Sequence, residues 1–177
     1  FGDNLKRLAD CGFEGVELWP GDLVTRPISE TARALDAAGL KCSQICPYFN
    51  FVGSADEWQE SIDLGLTYIE YARELGSPLI RVFTGPMSES LGVYGRDATI
   101  EQWDGAIRGL AHLCVEAEND GIRLCLECHP GQLAEDSHCA LKLVESVRSP
   151  SLTLNPQIPL YREDPWYSLG RLAGHIA

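Results

Sequence analysis

The stretch Gly121–Gly131, GIRLCLECHPG, decides how the rest of the chain is read. Ile122, Leu124, Leu126 and Cys128 alternate with Arg123, Cys125, Glu127 and His129. A period of two over this length predicts a β-strand with one apolar face and one chemical face. Asn119, Asp120 and Gly121 close a helical pattern upstream, and Pro130-Gly131 stops the strand just after Glu127 and His129. Both side chains are therefore expected at the strand's carboxyl end, where parallel α/β folds carry their ligand-binding loops.

Working outward, the same grammar recurs. Glu14–Leu18 predicts a strand with Glu17 and Trp19 on one face, ended by Pro20-Gly21. Leu40–Cys46, Pro78–Thr84 and Ser151–Asn155 are further strand candidates, with Arg81 and Phe83 sharing a face in one and Thr153 and Asn155 in another. Between them lie helical spacings at Asp3–Cys11, Ser29–Ala38, Ser54–Gly76, Thr99–Asn119, Glu135–Val147 and Asp164–Ile176, with Ser54 and Glu57 forming a capping box. Strands alternating with helices imply right-handed crossovers and a parallel sheet.

The faces choose among parallel folds. A doubly wound sheet is covered on both sides, so its central strands should be apolar throughout. Here Glu17, Arg81, Arg123, Glu127, His129, Thr153 and Asn155 give four strands a polar face. Helices outside and polar groups converging inside describe a TIM-like (β/α) barrel. Eight strands need roughly 250 residues, and 177 residues hold five, so the chain is expected to be a single, partial barrel. Because Phe1 is not Met, and a helix is already under way there, the chain reads as a piece of something longer.

Composition sets outer limits. A net charge of −12 disfavours nucleic acid as a partner, since phosphate binding needs clustered Lys and Arg. No apolar run reaches membrane-spanning length and no secretory signal opens the chain, which predicts a soluble cytoplasmic protein with no membrane partner. Seven cysteines scattered through strands and helices read as reduced thiols. Cys125 and Cys128, three apart on a strand, point to opposite faces and do not make a zinc or redox pair. Glycine-rich phosphate loops are missing, against both common nucleotide-binding classes. Homo-oligomerisation is left open.

GFEGVELWP (12–20), LGSPLIRVFTG (75–85) and GIRLCLECHPGQLAED (121–136) resemble the sugar phosphate isomerase/epimerase family, whose xylose-isomerase-like TIM barrels also include the apurinic endonucleases. The resemblance runs over nearly the whole chain and implies barrel strands two to six. It implies that Glu127, at the end of the fifth strand, is a metal ligand and the proton-moving base, with a divalent cation (Mn, Mg, Zn or Co) as cofactor. The family's second ligand is commonly an Asp at the end of the sixth strand, where this chain has Asn155, a weaker neutral donor. The family's further His and Glu ligands come from strands beyond Ala177. The implied substrate is a small sugar or sugar phosphate.

Isomerising a sugar means removing a proton next to a carbonyl, which needs a base and nearby positive charge. Glu127 is the catalytic candidate, and His129, Glu17, Trp19 and Arg81 are the substrate-binding candidates. The rival for Glu127 is an interior ion pair with Arg123 or Arg81, for Glu17 an interior salt bridge, and for His129 a cap on backbone groups. Trp19, Tyr48 and Phe49 are candidates for a sugar-stacking wall, against simple packing. His112, His138 and His175 read as helical and structural. Two other functions stay in view: a metal-dependent phosphodiester hydrolase of the apurinic endonuclease kind, and a non-catalytic sugar-binding member of the fold.

Overall fold

The computed structural model describes residues 1–87 and 91–177. All five expected strands form: β1 (Gly15–Leu18), β2 (Lys41–Ile45), β3 (Leu79–Val82), β4 (Arg123–Cys128) and β5 (Leu152–Pro156). They are joined by α1 (Gly2–Asp10), α2 (Pro20–Val24), α3 (Ile28–Ala38), α4 (Ala55–Leu75), α5 (Ile100–Glu118), α6 (Ser137–Val147) and α7 (Pro165–Leu172).

Strand order separates the two parallel folds. The strands lie side by side in chain order β1-β2-β3-β4-β5, every neighbouring pair parallel. A doubly wound sheet reverses direction at a switch point and so sends helices to both faces. This sheet never reverses. Right-handed crossovers then stack the helices on one side, and α3, α4, α5, α6 and α7 pack each against the next. The fold is α/β, a consecutive run of strands from a TIM-like barrel.

Register turns the alternating sequence into rows. Leu18, Ile45, Ile80, Leu124 and Leu152 stand opposite one another across all five strands. None of the five exceeds 3% exposure, and Val82, Leu126 and Leu154 form a second row beside them at 0%. They meet Ile62 and Ile69 of α4, Leu110, Leu113 and Cys114 of α5, and Leu143 of α6 in one core. Each such side chain contributes about 1.5–3 kcal/mol on burial. The opposite, concave face carries Arg81, Cys125 and Thr153 in one row and Glu127 and Asn155 in the next.

Helix ends follow their caps. Ser54 Oγ accepts the Glu57 amide while the Glu57 carboxylate accepts the Ser54 amide, and Thr99 with Gln102 repeats the pattern on α5. Such a cap contributes about 1 kcal/mol. Three expected boundaries move. Pro20-Gly21 does more than end β1: it opens α2, because proline's fixed φ suits a first helical turn and Asp22 Oδ2 accepts the Trp19 amide. The helix expected from Glu135 starts at Ser137, since Asp136 caps it by accepting the Cys139 amide. The last helix stops at Leu172 rather than Ile176. Beyond Gly174 the backbone extends, and Ile176 bridges Leu154 in parallel, with the Leu154 amide donating to His175 O at 2.7 Å.

All seven cysteines are free, and only Cys11 is exposed. No helix among the described residues is long and apolar enough to cross a membrane.

Candidate functional site: an arginine held between two carboxylates

On the concave face near the strands' carboxyl ends, Arg81 joins three strands. One terminal nitrogen donates to Glu127 Oε2 at 2.5 Å, and the other lies 2.7 Å from Glu17 Oε1. Its Nε donates to Cys46 Sγ at 3.1 Å. Two of the five guanidinium N–H groups thereby donate hydrogen bonds, while the Glu17 contact is an ion pair that leaves the buried Glu17 Oε1 without a hydrogen-bond partner. Arg123, the other partner expected for Glu127, is exposed and takes no part.

Glu17 reaches this cluster through an irregularity in pairing. Val16 pairs with Cys42 but Glu17 pairs with Gln44, so Ser43 is an extra residue on β2. Such a bulge re-aims the side chains that follow it. Gln44 arrives beside Glu17, and its Nε2 donates to Glu17 Oε2 at 3.0 Å. Glu17 therefore has a second partner, whereas Glu127 is held through Arg81.

Rings flank the charges. Trp19 meets Tyr48 edge-on at 6.2 Å, Tyr48 stacks on Phe83 at 5.5 Å, and Phe83 meets His129 edge-on at 6.4 Å. Arg81 lies 5.7 Å from the Trp19 ring and 5.6 Å from the Phe83 ring, both within cation–π range. Trp19 is 52% exposed and Tyr48 36%, so this wall keeps an open side. Phe49 does not belong to it. That ring packs on Phe51 at 5.3 Å in the core, and Phe83 takes the place expected for it.

His129 lies at the wall's end, with Nδ1 2.6 Å from Pro130 O. A carbonyl only accepts, so Nδ1 carries the proton in this contact and Nε2 is left with its lone pair when the ring is neutral. The loop holding His129 is bolted down by Gln132. Its Oε1 accepts the amides of Thr84 and Gly85 at 3.0 and 2.7 Å, and its Nε2 donates to Pro86 O at 3.2 Å. Gly131 turns the chain there at φ 82°, a value that favours glycine.

The cluster's electrostatics follow from these contacts. Burial weakens the Arg81 cation, but the opposing pull of Cys46, Glu127 and Glu17 wins, and Arg81 is held above its ordinary range. Burial pushes the Cys46 thiol up to about 11, partly offset by Arg81. A thiol so placed stays protonated at neutral pH. With two carboxylates around one guanidinium, the cluster has one formal negative charge in excess.

The donor set does not suit a divalent cation. Among the described residues no group of three or more His, Cys, Asp and Glu side chains converges to hold one. Glu127 has Asn155 beside it in register, and the space between Glu127 and Glu17 is taken by Arg81. These residues do not compose a divalent-metal site on their own. Cys125 and Cys128 add no ligand. Both are buried, burial raises both thiols, and that of Cys128 reaches about 12.

Glu17, Arg81, Glu127, Trp19 and His129 thus come together in one cluster, with Asn155 on its border. Gln44, Cys46, Phe83 and Gln132 belong to it too and were not expected. Phe83 was visible in the alternation with Arg81. Gln44 was not, because the bulge that brings it round has no residue signature.

No curated protein matches the chain. Solved structures do, at identities that show the fold alone. A probable 3-DHS dehydratase involved in petrobactin synthesis from Bacillus anthracis superposes with TM-score 0.83 at 22% identity, over 99% of this chain and 65% of its own. D-psicose 3-epimerase with D-tagatose from Clostridium cellulolyticum H10 gives TM-score 0.83 at 13% identity, over 99% and 65%. A xylose isomerase-like TIM barrel protein from Mycobacterium smegmatis in complex with magnesium gives 0.77 at 18%, over 98% and 63%. The chain therefore spans about two thirds of the length of these barrels. The sequence profile of the xylose isomerase-like TIM barrel matches residues 5–159, most of the chain, and the protein belongs to that family.

Proposed function

We propose that this chain carries the proton-moving half of a site that isomerises or epimerises a sugar or sugar phosphate. The observation supporting this reading is a 5% exposed carboxylate, Glu127, at a strand's carboxyl end beside an aromatic wall that is open on one side. Aromatic faces suit the apolar face of a sugar ring, and Glu17, Gln44 and His129 offer polar partners for hydroxyls.

In the proposed step Glu127 Oε1, the oxygen that Arg81 does not bind, takes the proton from the carbon next to the carbonyl. The electron pair of that C–H bond becomes part of the enediolate double bond, and negative charge moves to the carbonyl oxygen. Return of the proton to the former carbonyl carbon, with the hydroxyl proton passing from the adjacent oxygen to the charged one, isomerises the sugar; protonation of the first carbon on its opposite face by a second acid, while Glu127 keeps the proton it took, epimerises it. The fixed positive charge at hand is Arg81. A divalent cation, expected from the family resemblance, would draw on Glu127 and Asn155 here, and no step is assigned to it.

The test is deuterium uptake next to the carbonyl, followed by NMR in D2O. Ketohexoses come first, because the Clostridium epimerase is in complex with D-tagatose, and ketose phosphates follow. General base catalysis is worth about 10²–10⁴-fold, so Glu127→Gln should lose uptake by about that factor. Equal uptake in the variant would refute the assignment. One observation favours a second reading, non-catalytic sugar binding: both carboxylates are already tied to Arg81. That reading predicts ketose binding by calorimetry with no uptake at all.

A further inference from the structure

We infer that Arg81 is the resident cation of this site, and that its guanidinium keeps a divalent metal ion out of the space between Glu17 and Glu127. This rests on the cluster being the reactive part of the site, as proposed above.

Three observations carry it. First, Arg81 contacts both carboxylates at ion-pair distances, 2.7 Å and 2.5 Å, so the oxygens that face each other across the gap already share a positive charge. A metal ion entering there would meet a guanidinium that cannot lose its proton. Second, Arg81 is fixed from a third side by Cys46 Sγ and lies near the Trp19 and Phe83 rings. With only 13% of its side chain exposed, it has little room to swing away. Third, the position in register with Glu127 is Asn155, an amide in a place where a carboxylate would add the charge needed to outcompete the arginine. The neutral amide and the arginine point the same way. Each lowers the negative charge available to a dication.

Two of the five guanidinium N–H groups donate hydrogen bonds, to Glu127 and Cys46, and the other three are the donors that can meet an oxygen gaining charge beside Glu127. Arg81 would then serve as positive charge and as the positioning residue for Glu127 at once.

The experiment is a Mn²⁺ titration followed by electron paramagnetic resonance, with no sugar present, on the wild-type protein, Glu127→Gln, Arg81→Met, Arg81→Lys and the Arg81→Met/Glu127→Gln pair. Wild type should take up no stoichiometric Mn²⁺ at this site. Arg81→Met leaves two carboxylates facing one gap and should bind at least about tenfold more tightly, a gain cancelled by Glu127→Gln and absent in Arg81→Lys, which keeps the charge. One equivalent of Mn²⁺ bound by wild type and lost on Glu127→Gln would overturn the inference, and so would a folded Arg81→Met that binds no better than wild type. If Arg81→Met does not fold, the wild-type titration with Glu127→Gln still decides. Since no sugar is used, failure here is distinct from failure of deuterium uptake, which tests the function.

Discussion

The two faces of the same five strands are built on opposite rules. On the helix side, Leu18, Ile45, Ile80, Leu124 and Leu152 form a row in which each side chain touches several others and none is more than 3% exposed. On the concave side, Glu17, Arg81 and Glu127 depend on a few directional partners, and their side chains are 26%, 13% and 7% exposed. Apolar packing is redundant and non-directional, so it sets stability. Paired charges cost desolvation and return little net stability, so their retention needs another explanation. Alternate residues of one strand thereby separate holding the fold from doing chemistry.

The largest expected effect lies on the helix side. Leu126→Ala removes a 0% exposed side chain from the second apolar row and should cost about 4 kcal/mol in denaturant unfolding. Comparable tolerance at Leu126 and at exposed Leu64 would break the contrast.

Arg81→Met comes next. It leaves Glu17 and Glu127 facing one another without their shared cation, at an expected cost of about 3 kcal/mol. Added Mn²⁺ should restore part of it, visible as a higher melting temperature.

The alkaline limb gives a graded test whose effect is smaller per pH unit. The Cys128 thiol is raised from 9.0 to about 12 by burial, so the unfolded chain ionises first. Its contribution is fully present below pH 9 and is lost as pH rises through the folded value. Between pH 9 and 12 stability should fall by about 1.4 kcal/mol per pH unit for this thiol. Cys128→Ala should flatten the limb by that amount. Urea midpoints measured across that range check it.

The smallest effect on stability belongs to the residue with the largest expected effect on chemistry. Glu127→Gln keeps an oxygen facing Arg81 and should cost only about 1 kcal/mol. A loss as large as that at Leu126 would recast Glu127 as a structural ion-pair residue.

Much of this architecture could be read from alternation alone. The polar face of GIRLCLECHPG and its partners excluded a sheet covered on both sides, and the unreversed strand order agrees. Glu17, Arg81 and Glu127 were legible because a period of two puts them on one face near one end. Their mutual contact was legible only as a rival pairing, since a strand pattern does not give inter-strand register. Gln44 stayed hidden behind the bulge at Ser43, which shifts the face of every later residue on β2. For Phe49 the packing alternative holds, since it turns into the core, and the sequence leaves the choice open because a loop has no period from which to tell inward from outward. Gln132 was unreadable for the same reason: its amide joins Thr84, Gly85 and Pro86 across two loops whose approach only the folded sheet creates.

The most direct test sets two neighbours of one strand against each other. Deuterium uptake into a ketohexose would be measured for Glu127→Gln and Leu126→Val, each normalised to its folded fraction. If the concave face does the chemistry, Glu127→Gln loses uptake by about 100-fold or more while Leu126→Val keeps the wild-type rate. Uptake unchanged in Glu127→Gln would contradict the assignment of the site.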